Sequence, residues 1–193
     1  MSLAVALAAC LAPRALWAAT PAGPSFDCNK VETGSIEALV CADEGLAALD
    51  RKLAGAYAAA LAKATREVPP TLKVEQRGWI KGRDDCWKSP DQRACVESAY
   101  VSRIAELQAR YRLVPATGPV TYTCSGPADE VVVSYFPTEP PTLIAERGDS
   151  VSLMYRQPDG SYQGRNETLT GRDRDVLVTW GFQAPQLRCR REP

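Results

Sequence analysis

At 193 residues the chain fits one domain of ordinary size or two small ones. Its 23 basic side chains balance 23 acidic ones, which argues against a nucleic-acid partner and against a whole-molecule attraction to an anionic membrane; any charge-driven binding must be local. There is no histidine, and this excludes Ser-His-Asp, Cys-His and His-zinc chemistry.

Residues 2–16 are apolar and alanine-rich, shorter than the roughly 20 residues a bilayer span needs, and followed by small residues and prolines. Residues 1–23 therefore read as an export signal. Two processing routes compete: Leu7, Ala8, Ala9 and Cys10 spell a lipobox that would place a lipid on Cys10, whereas residues 16–22 offer small-residue sites for ordinary cleavage. The expected location is the periplasm, with a lipid anchor as the only route to the membrane.

Beyond Cys10 stand Cys28, Cys41, Cys86, Cys95, Cys124 and Cys189, an even set in an exported chain, which implies disulfides. Many connectivities are open to six cysteines. Local grouping favours Cys28 with Cys41, Cys86 with Cys95, and Cys124 with Cys189. No CxxC pair occurs and no histidine helps, so neither a metal nor another cofactor is expected.

From residue 35 to 111 the apolar period is helical. Leu46, Leu49, Leu53, Tyr57 and Leu61 lay one stripe along an alanine-rich segment that Asp43 is placed to cap. Pro69 and Pro70 separate it from a helix carrying Leu72, Trp79 and Ile80. Ser89 or Asp91 then starts a last helix whose buried face is Val96, Tyr100, Ile104, Leu107 and Tyr111, with Arg103, Glu106 and Arg110 on the solvated side. The expectation is three long helices plus a short first one, spanning 24–113.

Residues 114–119, with two prolines and a glycine, read as a linker. After it the period changes to two. Short runs at 120–124, 130–135, 142–147, 150–156, 161–165, 167–171, 175–180 and 186–190 are divided by turn residues, which indicates a barrel or sandwich over 120–193. The fold class is thus α+β in separate domains, a disulfide-pinned helical bundle and then an antiparallel β domain.

The helical region carries Phe26-Asp27-Cys28, Glu37, Cys41, Leu49-Asp50, Tyr57, Gln76-Arg77, Trp79, Arg83, Cys86, Cys95, Tyr100 and Arg103-Ile104. This ordered set resembles the amino-terminal domain of LprI-type lysozyme inhibitors. Gln76, Arg77 and Arg83 either form part of a partner site or simply pair with Glu37, Asp50 or Asp84 to fix the bundle; the second is the plainer reading.

The β region resembles the MliC type of inhibitor of c-type lysozyme. That resemblance implies an eight-stranded barrel whose first and last strands are bridged, a role Cys124 and Cys189 would fill. The family carries Ser-Gly-x-x-Tyr overlapping Tyr, six residues, Phe-Trp-x-Lys-Gly, and its serine and lysine reach into the lysozyme cleft. Here Tyr162 and Arg172 occupy the tyrosine and lysine positions, while Leu169-Thr170 replace Phe-Trp and Pro158 falls where the serine would sit. The resemblance implies a lysozyme-binding set of Asp159, Gly160, Ser161, Tyr162, Thr170 and Arg172.

The expected function is a non-enzymatic inhibitor of c-type lysozyme, the protein partner, working by insertion of these loops into a cleft that holds two carboxyl groups. The departures at Pro158 and Leu169-Thr170 leave a second expectation, an envelope module that binds another protein or a glycan.

Overall fold

The computed structural model describes residues 23–64, 71–125, 129–172 and 174–191. Cys10 and nearly all of the export segment lie outside the described residues, as do Asp173 and the side chain of Arg172.

Four helices come first: α1 (Ile36–Ala42), α2 (Glu44–Lys63), α3 (Thr71–Asp84) and α4 (Gln92–Arg110). Their starts follow from local chemistry. Ser35, Asp43 and Asp91 each accept a hydrogen bond from an otherwise orphaned backbone N–H of the first turn of α1, α2 and α4 respectively. Leu46 and Leu53 of α2 are buried against Val96, Tyr100, Ile104 and Leu107 of α4, with Ile36, Val40 and Leu72 completing the core. Two disulfides pin the bundle, Cys28–Cys41 and Cys86–Cys95.

A polar network runs through this core. The guanidinium of Arg83, 5% exposed, donates to Glu37 at 2.8 Å, to Asp84 at 2.6 Å and to the Tyr100 hydroxyl at 2.9 Å. That hydroxyl donates onward to Asp50 at 2.9 Å. Burial pushes the Tyr100 hydroxyl far above its ordinary range, so it stays a neutral donor. Burial also raises the Asp84 carboxyl, and neighbouring Glu37 adds to this against the opposing pull of Arg83. Gln76 accepts from Arg103 at 3.1 Å. Of the three residues singled out on α3, Arg83 and Gln76 thus fix the bundle, whereas Arg77 is exposed.

Arg103 itself departs from the expected pattern. It is 3% exposed rather than solvated, bonded to Glu106 at 2.8 Å. It lies on the bundle side of α4, where Gln76 of α3 accepts from it. The other side of α4 is covered by the β domain, where Tyr155 donates to the Ser102 carbonyl at 3.2 Å and β3 packs on the helix. A single apolar stripe describes a helix with one buried face; α4 has two, and Ala105 and Ala109 are fully buried as well.

The β domain is a closed antiparallel barrel of eight strands in sequence order: β1 (Thr117–Cys124), β2 (Glu130–Phe136), β3 (Thr142–Arg147), β4 (Ser150–Arg156), β5 (Tyr162–Gln163), β6 (Glu167–Arg172), β7 (Asp175–Trp180) and β8 (Gln186–Arg191). Closure removes the edges that an open sheet would expose. Alternate residues, among them Val131, Val133, Leu143, Met154, Leu169, Val176 and Val178, fill the interior. Cys124 pairs with Cys189 across the β1–β8 seam and the two are bonded there.

Two boundaries differ from the sequence reading. The stretch 114–119 is not all linker, because β1 begins at Thr117, which pairs with Tyr135. An irregularity in register between Thr117 and Val120 accommodates Gly118, whose φ is +107° and whose missing side chain leaves room for the Val133 carbonyl. Conversely β5 is only two residues long, because Gly164 already turns towards Glu167.

Candidate functional site

The β4–β5 loop and the end of β6 meet at one rim of the barrel. Arg156, Pro158, Asp159, Gly160, Ser161, Thr170 and Gly171 line a shallow cleft there of about 360 Å³. Four of the six residues expected to bind lysozyme are therefore brought together: Asp159, Gly160, Ser161 and Thr170. The backbone of Arg172 ends β6 opposite Asp175, next to this cleft.

The loop is held by its own atoms. Gln157 N–H donates to the Ser161 carbonyl at 2.7 Å and Gly160 N–H to the Gln157 carbonyl at 2.9 Å, closing a tight turn in which Gly160 takes φ +85°. Asp159 accepts from the Ser161 backbone at 2.9 Å and from the Ser161 hydroxyl at 2.6 Å. These bonds, the hydroxyl first, hold the Asp159 carboxyl below its ordinary range, so the loop carries a fixed negative charge. The Ser161 hydroxyl has given its single proton inside the loop and faces outward only as an acceptor.

Tyr162 takes a different place from the other five. It pairs with Leu169 and Arg156, and its ring meets that of Tyr135 edge to face at 5.8 Å against the barrel core. It positions the loop rather than lining the cleft. Gly171 is required where it stands: φ is +105°, and a Cβ would lie 2.7 Å from the Asp175 carbonyl. Arg156 is the residue that sequence reading passed over. It is exposed, ends β4, faces Tyr162 across the ladder and forms no ion pair with a described residue. The cue was its place as the last strand residue before the Pro158-Asp159-Gly160 turn.

The described part is a disulfide-pinned helical bundle followed by a closed, disulfide-bridged barrel with a polar loop cleft, and among the described residues no helix is long and apolar enough to cross a membrane. Comparison with known proteins gives the family. The family Lysozyme inhibitor LprI matches residues 28–110, the helical domain. Lipoprotein LprI of Mycobacterium bovis and that of Mycobacterium tuberculosis are each 37% identical to the chain over 164 residues, covering 82% of this chain and 79% of the relative. A match of that length cannot fit within the helical domain and must run into the barrel. The chain belongs to the LprI family of lysozyme inhibitors. No solved structure gives a significant match.

Proposed function

We propose that this protein is an envelope-located, non-enzymatic inhibitor of c-type lysozyme that seats its barrel loops in the enzyme's cleft. The observation that carries the mechanism is the meeting of Asp159, Gly160, Ser161, Thr170 and Arg156 around one cleft beside Arg172. The enzyme's cleft holds two carboxyl groups, and the rim carries Arg156, exposed and without an ion pair to a described residue. A guanidinium suits a carboxylate better than an ammonium does, because its planar fork makes two parallel bonds. Family membership supports lysozyme as the partner. The name of the mycobacterial relatives supports an envelope location, with lipidation of Cys10 as the means of attachment.

Arg172→Ala is expected to weaken binding to c-type lysozyme by about tenfold or more, the loss of one charge-assisted contact at an interface. Titration calorimetry reads it directly. A soluble glycan that fills the lysozyme cleft should compete with the wild-type protein. Simultaneous binding of glycan and inhibitor would place the contact elsewhere on the enzyme.

A second reading, a protein- or glycan-binding envelope module, draws support from the commitment of the Ser161 hydroxyl to Asp159 within the loop. Capture of a partner other than lysozyme by the wild-type protein, but not by Arg156→Ala, would favour it.

A further inference from the structure

Helix α3 carries a surface that the barrel site does not use. Its inward side is Leu72, Gln76, Trp79 and Arg83, of which Leu72 and Arg83 are buried. At about 100° per residue Lys73, Arg77 and Lys81 follow one another at successive turns along one solvent-facing flank, with Val74 at its outer edge and Ile80 at the edge nearest the core. All five are exposed, Val74 by 60% and Ile80 by 38%. None of the three cations forms an ion pair with a described residue. Glu75 lies off this face; Asp84 falls at its carboxy-terminal end, where it is bonded to Arg83, and Asp85 just beyond pairs with Lys88. Just beyond the helix Trp87, 63% exposed, stacks under the Lys88 ammonium at 5.5 Å. Three of the five large apolar side chains exposed among the described residues are therefore on this one helix and the short 3-10 turn after it.

We infer that the outer face of α3, with Trp87, is a docking surface for an anionic phospholipid bilayer. Cations alternating with exposed aliphatic groups and an aromatic at one end are the composition of a helix that lies in the headgroup layer. There lysine and arginine reach phosphates while short apolar groups and a tryptophan enter the acyl boundary. The face is a convex ridge, which a soft lipid surface accepts without a matching groove. The zero net charge of the chain makes this attraction local, as it must be. Phe26 lines one cleft with Gln76, Trp79, Ile80 and Arg83, so the polypeptide enters the fold along the inward edge of α3, next to Ile80. A tether upstream of residue 23 would hold α3 against the bilayer.

The test is sedimentation of the full mature protein, without lipid, with vesicles of phosphatidylglycerol and phosphatidylcholine in equal parts, and with phosphatidylcholine alone. Binding is expected to the anionic vesicles at low salt, to fall as salt rises, and to be weak on the neutral ones. Each cation contributes about fivefold to partitioning, so Lys73→Gln, Arg77→Gln and Lys81→Gln together should reduce it about a hundredfold. Trp87→Phe should remove a blue shift of tryptophan emission that accompanies binding. Substituting Arg188 and Arg190 on β8 by glutamine, a second exposed basic pair, should leave vesicle binding unchanged. Failure of the wild-type protein to bind anionic vesicles would overturn the inference, as would equal binding by the triple variant. Capture of an acidic protein by α3 without vesicle binding would do the same. Lysozyme inhibition by Lys73→Gln with Lys81→Gln, which leaves Arg77 in place, should match wild type, so this surface and the loop site stand or fall separately.

Discussion

Arg83→Met should destabilise the helical domain by about 3 kcal/mol at neutral pH. The substitution keeps much of the side-chain volume and removes the charge. It leaves Glu37 and Asp84 facing each other without the cation that bonds to both, and takes one donor from Tyr100. The two carboxylates are about one-third exposed, which holds the cost at the lower end of the range for a broken buried pair. Burial, with Glu37 beside it, already raises the Asp84 carboxyl, and in the variant the opposing pull of Arg83 is gone, so its folded-state pKa lies above the unfolded one. Its protonation on acidification therefore relieves the folded state, and the deficit relative to wild type should shrink as the pH falls towards about 4. Urea unfolding followed by far-ultraviolet circular dichroism reads the helices. A midpoint unchanged at pH 7 would show that the network is not what fixes the bundle.

Replacing both Cys124 and Cys189 by alanine should cost the barrel roughly 4 kcal/mol, the chain-entropy value for a bridge between residues 65 apart in sequence. The effect is large relative to the domain. The barrel has only about 75 residues and a small core, and a domain of that size has little stability to spare. Cys124 and Cys189 also belong to that core, so the loss includes packing. The helical domain keeps its two local disulfides and should unfold near its wild-type midpoint. The variant should therefore show two separated transitions, the barrel melting first and its lysozyme binding lost with it. One unchanged transition would contradict this.

The helix starts at Asp43 and Asp91, the core stripe of α2, the three cysteine pairs and the eight strands were legible in the sequence, because each rests on contacts or periods within a short stretch. What required the structure was distant in the chain. The burial of Arg103 goes with its bond to Gln76, 27 residues away on α3, and the second buried face of α4 with the barrel contact at Ser102, 53 residues from Tyr155; no helical period encodes either. The route from Asp50 through Tyr100 to Arg83 likewise joins three helices. In the candidate site, Asp159-Gly160 announced the turn, and the spacing from Tyr162 to Arg172 located the second segment. The inward placement of Tyr162 depends on Tyr135 across the barrel, and the contribution of Arg156 depends on the strand pairing that sets it beside that turn.

The surface of α3 shows the same division. The spacing of Lys73, Arg77 and Lys81 is visible in the sequence, but Ile80 was read with Leu72 and Trp79 as apolar content of that helix. Only the packing separates the half-buried Trp79, which bonds to the Ala99 carbonyl, from Ile80 at the rim.

Clearance of a suspension of Gram-positive cells by c-type lysozyme reads inhibition in a single measurement. With the folded full-length protein in micromolar excess, the loss of turbidity should slow in proportion to the inhibitor added, and Arg172→Ala should require about ten times more for the same effect. Lysis that proceeds undiminished at that excess would contradict the account.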